Sequence, residues 1–155
     1  MNAFNTPSNE SKVVFYLHIQ EVTGIRLTDP DTYIEIFFNG YSLEEKLVTP
    51  VMYESHNPQF CTLMKLDCAK GVLSYDDICS GEFTFKLFQV DPDCVDKDVV
   101  IDSFQLNKGE LSALCLSQGG SKSGLVVHTM AKGCTLACRY GCYYGNCLPS
   151  VYETF

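Results

Sequence analysis

Phe83, Phe85 and Leu87 alternate with Glu82, Thr84 and Lys86. A period of two, rather than the 3.6-residue period of a helix, describes a β-strand with one buried and one wetter face. The strand runs directly into Asp91-Pro92-Asp93-Cys94-Val95-Asp96-Lys97-Asp98, which holds four carboxylates within eight residues. Like charges so close together repel unless water or a cation neutralises them. The loop therefore reads as a cation cradle or as a solvated turn, since Asp and Pro are also ordinary turn residues.

The rest of the chain repeats the theme of short strands punctuated by turn chemistry. Phe15, Leu17 and Ile19 alternate with Tyr16, His18 and Gln20. Tyr33 to Phe38 forms a second strand, closed by the hairpin signal Asn39-Gly40. Lys46 to Val51 is expected as a third strand, with Pro50 marking a sheet edge or bulge, and Phe60 to Leu66 as a fourth. Asp67 to Ser80 reads as loop. Val99 to Ile101, Phe104 to Leu106 and Leu125 to Met130 supply further strands, and Leu111 to Leu116 one helical turn. Ser117 to Gly124 is a flexible connector. This spacing indicates an all-β antiparallel sandwich. The expected organisation is a polar segment 1–11, a sandwich 12–131 and a short irregular Cys/Tyr-rich extension 132–155.

The formal charge of −8 argues against nucleic acid as a partner, because phosphate binding relies on clustered Lys and Arg and the eleven present are scattered. It also opposes direct adsorption to an anionic leaflet. No run approaches the roughly twenty apolar residues that a bilayer span requires, and Met1 to Lys12 has no apolar signal region. The expected location is cytoplasmic, with peripheral membrane attachment if a cation, a lipid chain or a partner supplies the attraction.

Several pieces occur in an order that is similar to that of C2 domains. An alternating strand ends in Glu21-Val22-Thr23-Gly24-Ile25, and Asp31-Thr32-Tyr33-Ile34-Glu35-Ile36 opens the next. Lys46-Leu47-Val48-Thr49 and Asn57-Pro58-Gln59-Phe60 follow. The aromatic strand then enters Asp91-Pro92-Asp93, and Lys97-Asp98-Val99-Val100-Ile101 and Gly124-Leu125-Val126-Val127 complete the set. The resemblance spans about Lys12 to Met130, and the starting strand makes it the circularly permuted form found in phospholipases. It implies an eight-stranded antiparallel sandwich whose loops at one end collect aspartates around calcium and dock on phospholipid.

On that resemblance Asp31 matches the second acidic ligand of the first loop, and Asp91 and Asp93 match the paired ligands of the later loop. Asp29 is a first-loop partner, although the loop is shortened relative to the family. The last acidic position falls on or beside Val99, which leaves Asp98, one residue early, and Asp96 as candidates. The implied partners are an anionic phospholipid membrane or, with an incomplete aspartate set, a protein assembly that uses the sandwich as a calcium-independent scaffold.

Nine cysteines are present. Cys134, Cys138, Cys142 and Cys147 crowd the C-terminal extension, and their spacing is not the Cys-x2-Cys pattern of a zinc knuckle. Zinc, disulfides, S-acylation and simple packing against the sandwich are the four states open to them. No nucleophile elbow, phosphate loop or metalloprotease helix occurs, and His18, His56 and His128 stand in strands or a turn with no accompanying motif. The chain is expected to be non-enzymatic.

Overall fold

A computed structural model of the chain describes residues 13–68, 73–90, 97–116 and 124–144. Its strands are β1 (Val13–Thr23), β2 (Thr32–Phe38), β3 (Tyr41–Val48), β4 (Gln59–Asp67), β5 (Phe83–Gln89), β6 (Val99–Leu106), β7 (Val126–Thr129) and β8 (Thr135–Tyr144). Among the described residues two short helices, α1 (Tyr75–Ser80) and α2 (Glu110–Leu116), interrupt them. The strands form two four-stranded sheets, ordered β4-β1-β8-β7 and β3-β2-β5-β6, and every pairing is antiparallel. The architecture is the all-β sandwich that the alternation implies.

The core lies between the sheets because each contributes its apolar face. Phe83, Phe85 and Leu87 of β5 are fully buried against Phe15, Leu17 and Ile19 of β1 and their neighbours. Gln20 is an extra residue in β1 relative to β8, where Ile19 pairs with Cys138 and Glu21 with Ala137, whereas against β4 the extra residue falls on β4, with Ile19 on Thr62 and Glu21 on Gln59. The bulge moves the buried set from odd positions to Val22. Asn39 and Gly40 take positive φ of 49° and 86°, which is what a two-residue turn between Phe38 and Tyr41 demands.

Several boundaries differ from expectation. β3 begins at Tyr41 and ends before Pro50; as an edge strand it tolerates the exposed Tyr41, Glu44 and Glu45 that mask its pattern. The two expected pieces around residue 100 are one strand, β6, with Ile101 bulged out where the register shifts between Leu87 and Phe88. Within the stretch read as loop, Ser74 and Asp77 form a reciprocal capping box at 3.0 Å in each direction and start α1.

The largest correction concerns the extension. Thr135–Tyr144 is no irregular tail but a central strand, paired with β1 from Val13 to Thr23 and with β7 on its other side. Leu136, Cys138 and Tyr140 are completely buried and Cys142 nearly so. The strand count of eight therefore includes a strand drawn from the cysteine-rich stretch. Residues 1–12, the connector from 117 to 123 and residues 145–155, with Cys147, lie outside the described residues.

Gly81 follows α1 for a reason of space. A Cβ there would overlap the Phe38 ring and approach the Asp77 carbonyl oxygen at 2.9 Å. Gly81→Ala is expected to destabilise the fold by about 1–3 kcal/mol through overpacking. A thermal midpoint equal to that of wild type would contradict this contact.

Candidate functional site

Residues 24–31 between β1 and β2, residues 49–58 between β3 and β4, and the described ends of the β5–β6 connection, Val90 and Lys97–Asp98, meet at one end of the sandwich. The register requires it, because Thr32 pairs with Gln89 and Gln89 with Val99. Backbone bonds then tie the loops together. The Thr32 and Met52 amides donate to one another's carbonyls at 2.9 and 2.8 Å, the Ser55 N–H donates to the Pro30 carbonyl at 3.1 Å, and the Ile25 N–H to that of His56 at 3.2 Å. The imidazole Nε2 of His56 lies 2.6 Å from the Leu27 carbonyl oxygen, so this histidine braces two loops.

Asp31 stands at the centre of these contacts. Its carbonyl accepts the Val90 N–H at 2.8 Å, which pins the first loop to the residue at which the chain leaves for Asp91. Its Oδ1 accepts the Glu54 N–H at 2.9 Å. Asp29 is exposed and sits at φ 49°, a left-handed conformation that Asp tolerates better than most residues. Asp98 takes a hydrogen bond from the Tyr33 hydroxyl at 2.6 Å. The Tyr33 phenol is pushed well above its ordinary range, first by burial and then by the bond to Asp98 and its charge. It therefore stays a donor, and its ring stacks on Phe88 with centroids 5.1 Å apart.

Of the five aspartates named from the sequence, Asp29, Asp31 and Asp98 lie on these loops, while Asp91 and Asp93 fall outside the described residues. Among the described residues no three His, Cys, Asp or Glu side chains are grouped to hold a metal ion. The candidate donors, carboxylate and carbonyl oxygens, are of the kind that suits calcium. However, Asp31 and Asp98 each already give one oxygen to a protein donor. Sequence reasoning gave no role to Glu54 or Tyr33. Glu54 was hidden in a turn-like stretch, and Tyr33 among the alternating aromatics of β2.

The cysteines are arranged by their strand. Residues four apart on an extended chain are separated by about 13 Å, whereas thiolates sharing a zinc ion about 2.3 Å from each sulfur lie roughly 4 Å apart. Cys134, Cys138 and Cys142 thus cannot share one zinc ion, which corrects the zinc option for these three. Burial pushes the Cys138 and Cys142 thiols up to about 12, so they remain neutral apolar side chains in the core rather than thiolates. His128 is likewise structural. Its Nε2 lies 2.9 Å from the Tyr140 hydroxyl, and its ring stacks on Phe104 at 4.2 Å.

Two four-stranded antiparallel sheets with loops tied together at one end form a sandwich of the kind seen in C2 domains. Solved structures agree. The chain matches the first of the C2 domains of plant extended synaptotagmin 1 with a TM-score of 0.63 and 12% identity, over 86% of this chain and 95% of that one. A calcium-bound structure of two C2 domains of extended synaptotagmin 2 matches with a TM-score of 0.60 and 16% identity, over 86% of this chain and 46% of that one. Human GIVD cytosolic phospholipase A2 gives 0.64 and 11%, over 85% of this chain and only 16% of the enzyme. No family model matches the sequence, and no curated protein matches it. At these identities the likeness establishes the fold: the chain is folded as a C2 domain.

Proposed function

We propose that this protein is a non-enzymatic, cytoplasmic module that attaches peripherally to anionic phospholipid through the loop end of its sandwich, with calcium as the bridging ion. The observation that supports the reading is the bond between the Asp31 carbonyl and the Val90 amide, which ties the acidic first loop to the residue that precedes the Asp91–Asp98 segment in sequence. Asp31, Asp91 and Asp93 would hold the ion, with Asp29 and Asp98 as further oxygen donors. Bound calcium would reverse the local sign of a chain whose formal charge is −8, and each cationic charge near an anionic leaflet is worth about 1 kcal/mol. Among the described residues no helix is long and apolar enough to cross a membrane.

A second reading is a calcium-independent scaffold within a protein assembly. The hydrogen bonds already made by Asp31 and Asp98 favour it, as do the exposed Val99, Val100 and Tyr53 near the same end. Co-sedimentation with phosphatidylserine vesicles separates the two. The membrane reading expects pelleting with calcium, release by chelator, and loss of pelleting in the Asp91→Asn/Asp93→Asn double variant. Isothermal titration should show heat from calcium in wild type alone. No heat and no pelleting would leave the scaffold.

A further inference from the structure

Beside the acidic loops, a cleft of about 370 Å³ opens between the β1–β2 loop, the start of β6 and the β7–β8 turn. Its size falls within the roughly 300–1,000 Å³ range of small-ligand sites. Ile25, Leu27 and Ile101 supply apolar lining, while Arg26 and Lys132 line the same cleft from opposite elements and are exposed. Two of only eleven Lys and Arg residues in the chain thus converge on one concavity. Neither makes an ion pair among the described residues, although the chain carries nineteen carboxylates.

Among the described residues the one carboxylate that lines the cleft, that of Asp102, is engaged elsewhere. Asp102 is 1% exposed, and its oxygens accept the backbone N–H groups of Ser103, Lys132 and Cys134 at 2.9, 2.6 and 3.0 Å. Those bonds hold the turn carrying Lys132 in place, so the ammonium projects from a fixed base. Arg26 lines the cleft near Cys134. Burial and then Asp102 push the Cys134 thiol up to about 11, and the nearby Arg26 guanidinium partly opposes them.

We propose that this cleft is an anion site that takes a phosphate group, with Arg26 offering planar paired donors and Lys132 a point charge, and with the apolar lining accepting a short hydrocarbon portion of the same ligand. The site supplies its own positive charge and needs no calcium. It deepens the membrane reading if the phosphate is a lipid headgroup, and stands without that reading if the phosphate is soluble.

The test uses the full chain in chelator. Inorganic phosphate is titrated while backbone amide shifts are followed by NMR, and vesicles of phosphatidylcholine with phosphatidic acid are pelleted in parallel, for wild type and Arg26→Gln/Lys132→Gln. Both substituted side chains are exposed, so the variant should fold, which circular dichroism verifies. The expected result is shifts confined to residues 24–27, 100–102 and 132–134 in wild type, with affinity at least tenfold weaker in the variant. Phosphate binding without vesicle binding assigns a soluble phosphorylated ligand. Vesicle binding in chelator that the variant loses assigns a lipid headgroup. Absence of both in wild type, or equal binding by the variant, overturns the site. If vesicles then bind only with calcium, and equally to both proteins, the membrane reading survives while the cleft proposal does not.

Discussion

Removing residues 133–155 is expected to give an unfolded polypeptide rather than a trimmed domain. The cut would delete β8, the strand that joins β1 to β7 in the first sheet. With it go the buried Leu136, Cys138, Tyr140 and Cys142. At about 1.5–3 kcal/mol per fully buried side chain, their loss totals roughly 6–12 kcal/mol, as much as the whole stability of an ordinary domain. β1 would keep β4 but lose its other partner along its full length, exposing a long edge that invites aggregation. β7, four residues long and paired with β8 alone, would have nothing to pair with. Far-UV circular dichroism and amide dispersion of the truncated chain should show no sheet. A cooperative unfolding transition in that chain would show that the sandwich closes without β8.

The missed strand shows where sequence patterns stop speaking. Leu136, Cys138, Tyr140 and Cys142 alternate with Thr135, Ala137, Arg139 and Gly141, which is as regular a period of two as that of β5. The signal was present, but clustered cysteines suggest chemistry, and reading them as small hydrophobes would have revealed the strand. The Asn39-Gly40 hairpin and the Phe83–Leu87 alternation were legible because local φ preference and burial state the same thing there. The bulges at Gln20 and Ile101 were not, since a bulge exists only relative to the strands beside it. The loop end was legible as charge but not as geometry. Nothing in the order of residues announces that Glu54 donates its amide to Asp31, or that Tyr33 reaches Asp98 across sixty-five positions. Arg26 and Lys132 are farther apart still, and only the meeting of the first loop with the β7–β8 turn puts them on one cleft.

The Ile101 bulge leads to the last expected result, a large loss of stability in Asp102→Asn. By displacing Ile101, the bulge sets Asp102 opposite the core residue Leu87, and there its carboxylate gathers three amides, two of them from the β7–β8 turn. Burial alone would raise its pKa, but the amide bonds from Lys132, Cys134 and Ser103 outweigh burial and hold it below the usual carboxylate range. An asparagine keeps the shape but replaces one acceptor oxygen with a donor, so at least one amide faces an N–H group and is left without a partner. Each such loss costs about 1–3 kcal/mol, and loss of the charge weakens the remaining bonds. Because the folded-state pKa is depressed, the stabilisation is complete above the unfolded value near about pH 4 and is lost as pH falls through the lower folded value. Urea unfolding of wild type and Asp102→Asn should therefore show a gap that is constant above about pH 5 and narrows as pH drops below about 4. A gap of the same size at every pH would mean that the variant acts through shape alone, and that the charge on Asp102 does not hold the turn.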